Sequence, residues 1–213
     1  MQQAIIGVLC DLWTYPIKAL APLDHDRVAV EAAGLAGDRE RALLVETPQH
    51  RRFGKTLRGK ENALMHTAPD LTAGIAEAER GGAAVRLTDR ARYFDAAPVS
   101  IIMDSWIRDC ERLAGVPVEA QRFRPNIVAR SAPGFALVEL DLIGSTIHIG
   151  GVALRILATI SRCVTTSYDL VTGERDAAIL RAVVSGRRNV VGVYAEVAQT
   201  GTIARGDALT LAQ

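Results

Sequence analysis

Cys163 stands in Ser161-Arg162-Cys163-Val164-Thr165-Thr166-Ser167-Tyr168-Asp169, which runs on into Thr172-Gly173-Glu174-Arg175-Asp176. A thiolate is both a nucleophile and a metal ligand, and a neighbouring positive charge favours it over the thiol. Arg162 supplies such a charge, and Ser161, Thr165 and Thr166 carry hydroxyls that could donate to the sulfur. The same residues also fit an inert, buried cysteine beside a surface arginine. Three further cations stand near expected strand ends: Lys18 after Tyr15-Pro16-Ile17, Arg39 after Gly37-Asp38, and Arg124 before Pro125-Asn126. A guanidinium offers paired N–H groups that suit a phosphate or a carboxylate. Each has a plainer alternative: a solvated lysine, or an arginine paired with a neighbour such as Asp38. Thr47 to His66 carries Arg51, Arg52, Lys55, Arg58 and Lys60 in one polar loop. It could receive an anionic ligand or an acidic partner, or be solvated.

The elements that must hold these residues follow from apolar patterning. Val152 to Ala158 is an apolar run that reads as a buried strand, so Cys163 should lie where a strand leaves the core and a loop begins. Further strands are expected over Ile5–Trp13, Asp26–Glu31, Ala42–Glu46, Val85–Thr88, Ala97–Met103, Val116–Arg124, Val190–Val197, Thr202–Ile203 and Ala208–Leu211. Thr146–Ile149 and the run from Val152 should form a hairpin about Gly150-Gly151. Pro125 interrupts a strand-like run and implies an edge or bulge that re-aims Arg124 and Asn126. Pro69 to Glu79 reads as a short helix stopped by Gly81-Gly82. Asp104 is expected to cap a helix carrying Trp106, Ile107, Cys110 and Leu113, ending at Gly115. Asp176 should cap another that carries Ile179, Leu180, Val183 and Val184. Cys10 and Cys110 read as core, and His148 as surface. Many short strands, few helices and frequent glycine turns argue a mainly β barrel with a few short helices, not a parallel α/β sheet. A boundary near residue 95 would separate a β-rich part, 1–95, from a core carrying the cysteine loop, 96–213, within one compact unit.

Composition narrows the classes. The chain has 213 residues, enough for one good core, and a formal net charge of +1, which provides no overall field for nucleic acid or a membrane surface. Phe53 has no run of aromatic neighbours, so a single-strand nucleic-acid platform is poorly supported. The three cysteines are widely separated, with no Cys-x-x-Cys spacing, which argues against a zinc site. An odd cysteine count, an N-terminus without a basic segment, and no run long enough to span a bilayer together predict a cytoplasmic protein.

Taken together the motifs resemble the MOSC family, the fold of the C-terminal domain of molybdenum-cofactor sulfurases. The resembling stretches are Tyr15-Pro16-Ile17-Lys18, Gly37-Asp38-Arg39, Ala97-Pro98-Val99-Ser100, Arg122-Phe123-Arg124-Pro125-Asn126-Ile127-Val128, Ser161-Arg162-Cys163 through Gly173-Glu174, and Gly201 through Gly206-Asp207. They keep the family's order over nearly the whole chain. The chain is similar to the amidoxime-reducing branch and its bacterial relatives. Ala19 departs from that branch, which often has serine after the lysine, and Phe135–Asp141 only loosely follows its acidic, tryptophan-containing segment.

The resemblance implies a MOSC-type β-barrel with a molybdenum–molybdopterin centre and Cys163 as its protein thiolate ligand, a role suited to soft sulfur. It implies that Lys18, Arg39 and Arg124 hold the cofactor's phosphate and pterin, with Ser100, Asn126, Ser161 and Arg162 around them. Asp169 matches an acidic residue close to the metal. The implied activity is an oxidoreductase that removes oxygen from an N-hydroxylated small molecule. Plant-type iron–sulfur spacing is lacking, so a separate electron-transfer protein is needed. Pyridoxal phosphate belongs to the desulfurase domain of full sulfurases and is not expected in this chain. Two other readings share the same polarised sulfur: a sulfur carrier with a Cys163 persulfide and a separate sulfur-donor protein, and a non-enzymatic cofactor carrier.

Overall fold

The computed structural model describes residues 3–61 and 66–212; residues 62–65 of the basic loop lie outside the described residues. The first strand, β1 (Gln3–Thr14), serves two neighbours within the barrel and pairs at its far end with the short β2 (Leu23–Asp24). Its first half pairs antiparallel with β13 (Ala208–Ala212), and its second half pairs antiparallel with β8 (Ile127–Ser131). The sheet continues from β13 through β9 (Thr146–Ile149), β10 (Val152–Ser161), β11 (Val190–Gln199) and β7 (Val99–Met103) to β8. The double pairing of β1 therefore closes a seven-stranded barrel, as the run of short strands predicts. Closure leaves no unpaired edge along this sheet.

β7 and β8 are the one parallel pair in the barrel. Parallel neighbours need a long crossover, here helix α2 (Asp104–Ala114). Every residue of β7 is buried, which fits its unbroken Val-Ser-Ile-Ile-Met sequence. α2 buries Trp106, Ile107 and Cys110 on one face, and Gly115 ends it at φ 72°. Asp104 is not its cap. The carboxylate accepts the Ser131 N–H at 2.8 Å, tying the helix to β8, and Met103 takes the cap position. Helix α3 (Ala178–Gly186) starts one residue beyond Ala177, yet Asp176 still accepts the Ala178 N–H at 2.8 Å.

The expected strand over 116–124 does not form. Ala120–Phe123 is a single 3₁₀ turn, and Arg124 sits in the left-handed region at φ 52°. Pro125 has no N–H for a ladder, so β8 begins only at Ile127. β10 instead runs on to Ser161, placing Cys163 two residues beyond the strand end. The hairpin at Gly150-Gly151 is present.

Outside the barrel, β12 (Gly201–Ala204), β3 (Arg27–Glu31) and β4 (Gly34–Leu35) form one small sheet, and β5 (Ala42–Val45) pairs with β6 (Val85–Thr88). Helix α1 (Leu71–Arg80) is capped by Asp70, whose carboxylate accepts the Ala73 N–H at 2.9 Å. Ile17, Leu20, Leu43, Val45, Leu57 and Ala78 make a small second core that carries Lys18 and the visible ends of the basic loop.

Gly7 lies where β1 changes partners. A Cβ there would stand 2.6 Å from the Arg130 carbonyl oxygen, a backbone atom that cannot swing aside. Gly7→Val should destabilise the fold by about 1–3 kcal/mol. Urea unfolding should show a lower midpoint with an unchanged slope.

Candidate functional site

The cysteine loop is fastened at its base by Arg162. Its Nε donates to the Val191 carbonyl at 2.8 Å, Nη2 donates to the same oxygen, and Nη1 donates to the Phe123 carbonyl at 2.7 Å. The guanidinium also lies 5.1 Å over the Phe123 ring. Burial draws its pKa down to about 10, still a cation at neutral pH. Arg162 therefore lends its charge to the neighbourhood of Cys163 while its N–H groups hold β11 and the 120–123 turn. The expected hydroxyl contacts to sulfur are absent: among the described residues no group donates to Cys163 Sγ, and the Thr166 hydroxyl donates to the Cys163 carbonyl at 2.9 Å. Closing the 3₁₀ turn over Val164–Ser167 uses the hydroxyl that proximity in sequence had offered to the sulfur. Cys163 is exposed, whereas Cys110 is buried and Cys10 is half-buried with its thiol donating to the Val128 carbonyl at 3.2 Å. Burial pushes both of those thiols up to about 11. Cys163 is thus the accessible sulfur.

Tyr15 is fully buried with two arginines against its ring: Arg39 at 4.6 Å and Arg124 at 4.1 Å from the centroid. Its hydroxyl donates to the Pro125 carbonyl at 3.0 Å, and its N–H donates to Asp38 at 2.7 Å. Arg39 Nη1 donates to Asp38 at 2.5 Å and to Asn126 Oδ1 at 3.3 Å, and Nη2 donates to the Arg124 carbonyl at 3.2 Å. Burial works against the Arg39 cation, but Asp38 and Tyr15 outweigh it and raise its pKa. Arg124 has no such carboxylate in contact, and burial lowers its pKa to about 10. Its Nη2 donates to the Leu20 carbonyl at 2.7 Å and its Nη1 meets His66 Nδ1 at 3.2 Å. Arginine has only donors, so His66 accepts through Nδ1 and carries its proton on Nε2. Burial and Arg124 hold the His66 pKa at about 3, so the ring is neutral. Nε2 is buried without a partner, and the ring lies against Gly59, where a Cβ would fall 1.9 Å from Cε1.

Ala19, Arg39 and Arg124 all adopt positive φ, at 77°, 49° and 52°, and all three line one basin. Strained backbone of this kind collects where function requires a particular side-chain placement. The basin encloses about 290 Å³. Lys18, Arg39, Ser100, Arg124, Ser161, Arg162 and Cys163 all line it. Asn126 lies behind the wall, where Oδ1 accepts from Ser100 N at 3.1 Å and Ser100 Oγ at 2.9 Å as well as from Arg39. Arg58, Lys60 and Arg122 raise the lining cations to seven among the described residues, against one carboxylate, Asp95. Sequence reasoning singled out neither Asp95, His66 nor Tyr194 for this wall; each is an isolated residue with no motif spacing around it.

Asp169 is turned away from the basin. It lines a neighbouring recess with Arg122, Thr172 and Glu174, and Arg122 is the wall between the two. The Asp169 carboxylate accepts the Thr172 N–H at 2.8 Å, the Val171 N–H at 2.9 Å and Arg122 Nη2 at 3.1 Å. Those backbone donors, Thr172 first, hold its pKa at about 2. A carboxylate with a depressed pKa contributes its stabilisation in full above the ordinary value of 3.8, and loses it as the pH falls through about 2. The side-chain carboxyl titration of Asp169 by NMR should therefore have its midpoint near 2, and amide protection at Val171 and Thr172 should fade over that interval.

The closed β-barrel thus presents one exposed thiol beside a basin lined by fixed cations. The sequence model of the MOSC domain family matches residues 88–210, more than half of the chain, and the chain belongs to that family. No curated protein sequence matches it. Among solved structures it is similar to the YuaD protein from Bacillus subtilis, with 16% identity, a TM-score of 0.56, and 99% of this chain and 98% of that one covered. A structure titled as that of a hypothetical protein matches with 14% identity and a TM-score of 0.50, covering 99% of this chain and 70% of that one. YiiM from Escherichia coli has 12% identity and a TM-score of 0.47, covering 100% and 71%. At these identities the likeness to YuaD and to the hypothetical protein shows the fold.

MOSC domains are associated with molybdenum-cofactor binding. The residues present fit such a group. Among the described residues no cluster of three or more His, Cys, Asp or Glu could hold a metal ion by itself, and Cys163 is the exposed thiol on the basin wall. The cations suit the cofactor's phosphate, and the unpartnered His66 N–H is a neutral donor on the same wall. No helix among the described residues is long and apolar enough to cross a membrane.

Proposed function

We propose that this chain is a molybdenum-cofactor-dependent oxidoreductase that reduces N-hydroxylated small molecules, with Cys163 as the protein ligand to molybdenum. The observation that carries the reading is the pairing, among the described residues, of one exposed thiol with seven cations and a single carboxylate in one basin. When bound, such a cofactor supplies two-electron oxygen-atom transfer: the substrate oxygen leaves as water after uptake of two electrons, delivered by a separate protein, and two protons.

The chain's own residues bind and orient. Lys18, Arg39 and Arg124 take the phosphate and the polar edge of the pterin through charge-assisted hydrogen bonds. Asn126 fixes Arg39 and Ser100 from behind, and Arg162 fixes the loop that presents Cys163. Ser161 offers a hydroxyl beside the sulfur. Asp169 contributes by ordering the 169–172 turn, and Arg122 links that turn to the basin wall by donating to the Tyr168 carbonyl at 2.6 Å. The ends of the basic loop at Arg58 and Lys60 widen the positive rim that an acidic electron donor would meet.

An exposed sulfur also suits the sulfur-carrier reading, in which Cys163 accepts a persulfide from a donor protein. Elemental analysis separates the two. Protein from a host that makes the cofactor should carry near-stoichiometric molybdenum, and Cys163→Ala should carry at most about a tenth of it. Metal-free wild-type protein that takes up a sulfur label on Cys163 would replace the oxidoreductase reading with sulfur carriage.

A further inference from the structure

Asp95 is the single carboxylate among the described side chains that line the basin. Its Oδ1 lies 3.2 Å from Lys18 Nζ, and its charge is felt at Arg39, Arg124 and Tyr194. The backbone leading to it is held: Tyr93 N donates to the Arg39 carbonyl at 2.8 Å, and Arg92 Nη1 donates to the Asp38 carbonyl at 3.0 Å. The side chain itself is held by one exposed ion pair. It is 76% exposed, and a pair of that kind with Lys18 adds little to stability. An anchored stretch of chain thus holds an exposed negative charge against Lys18 and within electrostatic reach of Arg39 and Arg124, the three cations assigned to the phosphate. A core ion pair serving the fold would be packed and multiply bonded, as Asp38 is against Arg39 and Tyr15.

We propose that Asp95 is the selectivity residue of this anion site: a built-in counter-ion that offsets part of the charge of Lys18, Arg39 and Arg124 until a phosphate dianion displaces it. The inference rests on the phosphate-binding role given to those cations above. A monoanion entering the site replaces one charge by another and gains nothing, so it leaves Asp95 in place. A phosphate monoester dianion brings a second charge and three acceptor oxygens that the carboxylate lacks, and it wins the exchange. The site is thereby closed to common small monoanions without any steric gate.

The test is calorimetric titration of inorganic phosphate, and separately sulfate, into the cofactor-free protein at low ionic strength. Nitrate serves as the monoanion, whose binding should be undetectable in wild type and gained in Asp95→Asn; nitrate binding unchanged by the substitution would overturn the selectivity role. At about pH 8 phosphate is mainly a dianion. Asp95→Asn should bind both dianions about ten-fold more tightly than wild type, since a nearby like charge is removed. The gain should shrink as salt is added and be smaller in a Lys18→Met background. Melting temperatures within a few degrees of wild type will show that the variants fold. Equal or weaker binding of both dianions by Asp95→Asn would overturn the proposal and leave the anion site standing. Weaker phosphate with tighter sulfate would also overturn it, because Asp95 would then be accepting from a P–OH group that sulfate lacks. No binding by wild type or Asp95→Asn, with folding intact, would remove the anion site itself and the function proposed for it.

Discussion

Two guanidinium groups share one buried aromatic ring, and much of the molecule is arranged around that fact. Tyr15 has no exposure, and Arg39 and Arg124 lie 4.6 and 4.1 Å from its ring centre. Taking cations out of water is costly unless partners replace the lost hydration. Asp38 does so for Arg39, and the carbonyls of Leu20 and Arg124 and the lone pair of His66 fill other donor positions. Only Asp38 among these carries a negative charge. The remaining positive charge is stored in a fixed place, beside backbone held in a left-handed conformation at Ala19, Arg39 and Arg124. Strain and uncompensated charge of that kind are what a fold sets aside for a ligand rather than for its own stability.

The cysteine loop uses the same economy of parts in a different way. Arg162 and Cys163 are neighbours in sequence, which invites a direct pairing of guanidinium and sulfur. In space the guanidinium faces inward, bridging β11 and the turn before Arg124 through carbonyl groups. Behind it, buried Glu139 accepts from Arg187 Nη2 at 2.6 Å and from the Gly192 N–H at 3.1 Å, so the strand that Arg162 grips is itself pinned. The sulfur is held by a rigid base and left open above it.

These relationships explain which features were legible in the sequence. The strands of the barrel were readable because β-branched apolar residues recur wherever a strand is buried, throughout β7 and at Val152, Ile156 and Ile160 of β10. The cysteine loop stood out because a strand run ends shortly before it. The stretch before Pro125 misled for a local reason: Val116-Pro117-Val118 carries β-formers, but the chain there turns to bring Arg122 and Arg124 to the basin, and tertiary contacts override the propensity. Asp104 looked like a cap and instead pairs across to β8. Asp169 came forward by its place after the cysteine, yet three donors from its own turn claim it. Asp95 and His66 could not have been found by pattern. One lies in an irregular stretch before β7 and the other at the end of a basic loop, and only folding brings them to the same wall.

The seam that closes the barrel has a mechanical meaning as well. Gln3 faces Ala212 and Ala4 faces Leu211 in an antiparallel ladder, so the first and last described strands run side by side in opposite directions. A force drawing those two ends apart acts on the nearest rung first and passes to the next only when that one has opened. The ladder then peels bond by bond instead of shearing all at once. Tension applied through the termini would undo the barrel at its closure, and β1 would be lost from β13 before the strands that carry Cys163 were loaded.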